Sequence, residues 1–227
     1  MANYKVRHLG LIPDGAGRWA SARGETLVFG YQVSVRLIEQ LVKEFFRHGG
    51  SELSIYLFAV ANFKRQDWEI DALMKVADEF MHTLSENQAY LGVSVTVAGD
   101  RSMLPNSINS TISTLENRNT YKHTLNLLLA YDPVQEIQAA LETEKVEKVE
   151  KGEKGEKGDD LLEHLWVKNP VDLVVRTGGA KTLSKFLPMQ SSHARLIFLD
   201  ELLNDLEVSD LMRHVYEHEA MDLQYGE

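Results

Sequence analysis

The 227-residue chain contains no cysteine. That excludes disulfide staples and thiolate metal centres, and it agrees with a cytoplasmic protein. Nowhere does an apolar run approach the ~20 residues that span a bilayer, and the N-terminus lacks a signal-peptide pattern. No transmembrane segment is expected. Excess positive charge is missing too. With 24 Lys and Arg against 34 Asp and Glu the formal net charge is −10, which disfavours a general nucleic-acid partner. Any anionic ligand needs a locally positive site against that field. What is present is an ordinary apolar fraction, 44%, in a length able to bury one full core. We expect a single domain over residues 1–227.

The apolar pattern alternates strands with helices. Residues 5–12, Glu52 to Phe58, Val93 to Val97, Leu125 to Leu129, Val171 to Val175 and Leu196 to Phe198 read as strands. Helical spacing marks residues 30–48, with Val35, Ile38, Leu41, Val42 and Phe45 on one face and Gly49 as its stop. Further helices are expected over about 18 residues ending near Glu86, from Pro105 to about Arg118, from Val134, from Leu161 to Trp166, and from Val208 to His218. Six βα units predict an α/β fold with a parallel or mostly parallel six-stranded sheet covered by helices on both faces. One stretch breaks the pattern. The Lys/Glu run and Gly-Glu-Lys triplets between residues 144 and 160 predict a mobile, solvated insertion without chemistry.

Ligands of such sheets sit beyond the carboxyl ends of the strands. Asp14, Asn62, Asp100 and Arg176 all follow predicted strands, which points to one shared site. The densest cluster is Leu9-Gly10-Leu11-Ile12-Pro13-Asp14-Gly15-Ala16-Gly17-Arg18-Trp19-Ala20. Here a buried strand stops at a turn made by Pro13 and two glycines. Gly15 and Gly17 let backbone N–H groups approach a ligand, Arg18 offers a fork for phosphate oxygens, and Asp14 is a carboxylate able to hold Mg²⁺. The pattern is neither a Walker loop nor a dinucleotide fingerprint.

Asp-Gly-x-Gly-Arg-Trp-Ala after a strand resembles the signature of the cis-prenyltransferases, the undecaprenyl diphosphate synthase family. Phe58-Ala59-Val60-Ala61-Asn62-Phe63-Lys64-Arg65 is similar to that family's F-S-x-E-N-W-x-R, and Pro170 to Gly179 to its P-D-L-x-I-R-T-[SG]-G-E. Leu125-Asn126 through Glu136-Ile137 continues the match. The resemblance implies prenyl diphosphate substrates, a Mg²⁺ cofactor and a homodimer, with the interface near Leu161 and residues 190–206. It implies catalytic roles for Asp14 and Asn62, with Asp14 as metal ligand. It implies diphosphate binding by Gly15, Gly17, Arg18, Arg65, Arg176 and Ser184, and a substrate pocket of Trp19, Tyr31, Leu57, Phe58 and Phe63.

The departures from that pattern concern chemistry. Ala16 stands for a family Asn, Leu27 for an Arg and Tyr31 for a His. On the isopentenyl side Ala180 replaces a Glu, Thr182 an Arg, and Arg195 a metal-binding Glu. Arg195 cannot hold a cation; we expect it to contact diphosphate directly. Leu57 stands where long-chain members carry a small wall residue, which implies a short product. These residues imply a short-chain enzyme that ionises an allylic diphosphate and couples allylic units irregularly or cyclises one. Standard cis elongation with isopentenyl diphosphate, and a non-catalytic partner subunit, remain as alternatives.

Overall fold

A computed structural model describes residues 5–117, 120–151 and 161–220. Its strands are β1 (His8–Ile12), β2 (Glu52–Ala59), β3 (Val93–Ala98), β4 (His123–Tyr131), β5 (Leu173–Arg176) and β6 (Arg195–Phe198). The helices are α1 (Ala16–Ala22), α2 (Leu27–His48), α3 (Asp67–Leu91), α4 (Asn106–Glu116), α5 (Pro133–Lys151) and α6 (Val208–Glu219). The strands form one sheet in the order β3-β4-β2-β1-β5-β6, and every recorded pairing is parallel.

Strand alternation divides the core in two. Leu9, Leu11, Leu53, Ile55, Leu125 and Leu127 point to the face packed by α2, α3, α4 and α6. Ile12, Tyr56, Leu128 and Val174 point the other way, onto Val167, Phe186 and Leu187. Because both faces are covered, β1 is buried at every position, as its apolar run predicts. Among the described residues no helix is long and apolar enough to cross a membrane.

Several elements differ from the sequence expectation. The turn at Pro13–Gly17 leads directly into α1, a helix that the glycines conceal. It is held in place by tertiary contacts: Trp19 Nε1 and Arg23 Nη2 both donate to Asp205 Oδ1, at 2.9 and 2.7 Å. Helix α3 runs 25 residues rather than about 18. Helix α5 continues through Glu144 to Lys151, into the stretch expected to be mobile. Lys and Glu are good helix formers, and the opposing glycines begin only at Gly152. Residues 152–160 lie outside the described residues. The chain resumes as a short 3-10 turn, Leu161–His164, not as an α-helix.

Opposite the strands' carboxyl ends lies a buried polar network. His8 bonds Ser54 Oγ at 2.7 Å and the Pro170 carbonyl at 3.0 Å, while Asn126 and Asn169 each donate to Glu52 at 2.6 Å. Burial pulls the His8 imidazole below its usual 6.5, although the Glu52 and Asp172 carboxylates oppose the shift. The fold therefore favours neutral His8. The unfolded chain binds more protons below pH 6.5, so this stabilisation is complete above 6.5 and is lost as pH falls through the lowered native value. Thermal melts should show a midpoint that declines from about pH 6.5 downward. In His8→Gln that first decline should flatten; an unchanged profile would remove His8 as its source.

Candidate active site

The carboxyl ends of β1, β2 and β5 open onto a cavity of about 360 Å³ lined by Asp14, Asn62, Arg65, Arg176, Ser184 and Tyr31, among others. Asp14 is its centre. Its Oδ1 accepts from Arg18 Nη2 and its Oδ2 from Arg176 Nη2, both at 3.1 Å. Its backbone is fixed as well: Thr177 Oγ1 donates to Asp14 O at 2.8 Å, and Asp14 N donates to Thr177 Oγ1 at 2.9 Å. The carboxylate thus joins the loop after β1 to the end of β5.

The two arginines are unequal. The Arg176 side chain is only 9% exposed, and its Nη1 donates to Thr182 O at 2.6 Å and to Ser184 Oγ. The Arg18 side chain is 58% exposed and also donates to Gly178 O at 2.8 Å, so it has room to turn toward a ligand. Arg65 completes a positive rim, donating to Tyr31 OH at 3.2 Å. Two guanidiniums hold the Asp14 carboxylate and a third, Arg65, lines the same cavity, so the site is locally positive in a chain of net charge −10. Asn62 Oδ1 accepts from Ala59 N at 2.9 Å, which leaves both Nδ2 hydrogens available.

Behind Tyr31 and Leu57 the cavity continues as an apolar extension of about 70 Å³ between α2 and α3, walled by Ile38, Leu73, Val76 and Phe80. Leu57 is the extra residue of a bulge in β2, which accounts for its turn into the cavity.

The structure brings together most of the expected residues. Gly15, Gly17, Phe58 and Leu57 line the cavity with the polar groups already named, and Arg18 stands beside it through Asp14. Three do not reach it. Trp19 faces Asp205 and Phe29, and Phe63 lies behind Phe58, edge-on at 4.8 Å. Arg195 pairs with Leu173 at the amino end of β5, whereas Arg176 pairs with Phe198 at the other end. That register puts Arg195 at the opposite edge of the sheet, so the expected diphosphate contact is not made within the chain. Asp100 also falls away from the site. It follows the edge strand β3, lines a separate groove of about 670 Å³, and caps the turn at Ser102. That groove is larger but holds none of the Asp14–Arg176 groups.

Sequence reasoning missed Tyr56. It lines the cavity and donates to Ser184 O at 3.2 Å. Burial, with the Asp132 carboxylate nearby, pushes its hydroxyl up to about 12, so it remains a donor. Its signal was a phenol inside a largely apolar strand, a group that requires a polar partner when buried.

A parallel sheet covered by helices on both faces, with an arginine-lined cavity beyond its strand ends, defines a doubly covered α/β fold. Residues 12–226 match the family profile for undecaprenyl diphosphate synthases, and the chain belongs to this prenyltransferase family. Isoprenyl transferase 1 of Bradyrhizobium diazoefficiens is 29% identical over 96% of this chain and 89% of its own length. The ditrans,polycis-undecaprenyl-diphosphate synthase of Haemophilus ducreyi, (2E,6E)-farnesyl-diphosphate specific, is 29% identical over 97% and 93%. Among solved structures, lavandulyl diphosphate synthase from Lavandula x intermedia in complex with dimethylallyl diphosphate superposes with a TM-score of 0.85. It is 26% identical, with 96% of each chain covered.

Gly178 has φ +83, and a Cβ there would lie 2.5 Å from Arg18 Nη2 and 3.0 Å from Asp14 O. Gly178→Ala should therefore push Arg18 off its carbonyl and strain the turn. Losing one charged hydrogen bond costs about 1.5–3 kcal/mol, so inorganic diphosphate should bind roughly ten- to hundred-fold more weakly by calorimetry. Undiminished affinity would show that Arg18 is not held there for the anion.

Proposed function

We propose that the chain is a short-chain prenyl-diphosphate enzyme that ionises an allylic diphosphate and joins the allylic unit to a second one in an irregular coupling. The carrying observation is the apolar extension of about 70 Å³ behind Leu57. Ordinary ligand pockets hold ~300–1,000 Å³, so this one has room for a short isoprenoid tail rather than a growing polyprenyl chain. The likeness to lavandulyl diphosphate synthase bound to dimethylallyl diphosphate supports the same size of substrate. Thr182 and Ala180, in place of the family's Arg and Glu, support a changed second-substrate side.

In this reading the diphosphate lies between Arg18, Arg65 and Arg176. When the allylic C–O bond breaks, its electron pair leaves with the diphosphate, and fixed guanidiniums stabilise that developing charge. Asn62 adds a neutral donor beside them. Tyr31, Leu57 and Phe58 wall the carbon side and exclude water from the allylic cation. Electrons from the second unit's double bond then form the new C–C bond, and a proton lost from the product cation goes to the departed diphosphate.

Asp14 is the carboxylate suited to Mg²⁺. Among the described residues no cluster of three acidic or His groups is present, and both Asp14 oxygens already accept from arginines. Such a donor set fits Mg²⁺ arriving with its diphosphate, because this ion is commonly held by one carboxylate plus substrate oxygens. When bound, it would neutralise diphosphate charge as a Lewis acid. The exposed Leu162, Met189 and Leu196 support the homodimer near the segments named above.

A second reading, standard cis elongation with isopentenyl diphosphate, is favoured by the retained Arg176–Ser184 pair and by the relatives named undecaprenyl-diphosphate synthase. Product analysis with dimethylallyl, geranyl and farnesyl diphosphates, each with and without isopentenyl diphosphate, separates the two. Turnover of dimethylallyl diphosphate alone, abolished by excess chelator and restored by Mg²⁺, is expected. A strict requirement for isopentenyl diphosphate would replace our reading with the second. Asp14→Asn should lower kcat by ~10²–10³. It should also lower the melting temperature by a few degrees, because the buried Arg176 loses its anion. A variant that turns over normally would show Asp14 to be a structural counter-ion alone.

A further inference from the structure

Four described non-glycine residues have a left-handed backbone: Ala130 (φ 54), Ser184 (φ 47), Lys185 (φ 70) and Leu187 (φ 37). Each such residue is strained by roughly 1–3 kcal/mol and persists only where its surroundings impose it. Three of the four lie in the turn that presents Ser184 to Arg176. The fourth is the extra residue of the β4 bulge, two positions before Asp132.

The two strained segments meet in one ion pair. Lys185 Nζ lies 2.6 Å from Asp132 Oδ2. The Asp132 side chain is only 14% exposed, and its other oxygen accepts from Val134 N at 2.9 Å, starting α5. Burial alone would raise the Asp132 carboxyl, but the Lys185 hydrogen bond and the Val134 N–H hold it below its usual value. A surface pair would be weak; this one has a mostly buried anion with no second cation among the described residues. Tyr56 adds a further tether through the Ser184 carbonyl, and Phe186, fully buried, anchors the turn between them.

We propose that the Lys185–Asp132 pair is a clasp that imposes the left-handed 184–187 turn and so sets Ser184 and Arg176 for the second diphosphate. Both are positioning residues and neither touches substrate. The inference rests on the two-diphosphate reading above, and it names what in this chain shapes the second subsite. Lys is a poor residue for φ +70, whereas Gly and Asn adopt that conformation readily. The clasp therefore acts by overriding the residue's own preference.

That logic gives a test that separates backbone from charge. Lys185→Ala removes the ammonium and keeps a residue that resists the turn. Lys185→Asn and Lys185→Gly remove the ammonium but adopt the turn unaided. Lys185→Arg keeps the pair, and Asp132→Asn breaks it while keeping an acceptor for Val134. Calorimetric titration with inorganic diphosphate, and hydrogen exchange of amides 182–187, are read on each folded variant. Lys185→Ala and Asp132→Asn should bind about ten-fold more weakly and exchange faster across the turn, and Lys185→Ala should also melt a few degrees lower, because it leaves the Asp132 carboxylate without its cation. The Asn, Gly and Arg variants should stay within about two-fold of the parent, the strain being relieved or still opposed. Parent-like binding by Lys185→Ala would overturn the clasp. So would Asn and Gly variants as weak as Ala, since the ammonium itself would then be the diphosphate ligand. Binding is measured without turnover, so this result stands apart from whether the enzyme couples allylic units.

Discussion

A carboxylate held between two guanidiniums, at the carboxyl ends of adjacent parallel strands, is the constraint on which the site depends. Asp14 ends the segment after β1, Arg176 ends β5, and their pair forms because those strands are neighbours in register, with Ile12 opposite Arg176. Remove the anion and a guanidinium only 9% exposed is left without its counter-charge. Burying an unpaired charge is expensive, so fold and function share this interaction. The same arrangement creates the pocket's polarity. One carboxylate cannot neutralise Arg18, Arg65 and Arg176 together, and the cavity is left with a surplus of positive charge.

Much of this was legible in the sequence because strands covered on both faces read as uninterrupted apolar runs, and their ends mark where ligands sit. Asp14, Asn62 and Arg176 were grouped on that ground alone, and the structure brings them together. The same rule misplaced Asp100, since it names the side of the sheet but not the strand's position along it. With β3 at the edge, two strands from β2, Asp100 lies in another groove. Arg195 failed for a related reason. It opens its strand, and only register reveals that an opening residue lies at the far edge from Arg176.

Helix α1 was concealed by a different cause. Seven residues containing glycine have little intrinsic helicity, and short helices rely on tertiary support. That support comes from distant chain: Asp205 takes both Trp19 and Arg23, and Gly30 lets α2 cross so closely that a Cβ would lie 2.7 Å from Ala16 O. Trp19, expected in the pocket, is instead part of this brace. Its contribution to the site is indirect, since the helix it secures carries Arg18.

The two sides of the cavity are built from different materials, and this bears on what the chain can do. The Asp14–Arg18 side is made of regular elements, β1 running straight into α1, with strain absorbed at Gly15 (φ +120) where no side chain opposes it. The Ser184 side is a turn of non-glycine residues held against its own preference by hydrogen bonds and one ion pair. Backbone strain persists only where surrounding contacts over-determine it. A turn held this way depends on those contacts, and Thr182 accepts from Arg176 through both its carbonyl and its hydroxyl. Arg176 thus spends donors inward on the turn as well as outward on Asp14. The Asp14–Arg18 side is the more independent of the two, and the Ser184 side depends on contacts that reach it from β2, from β5 and from Asp132 at the end of β4.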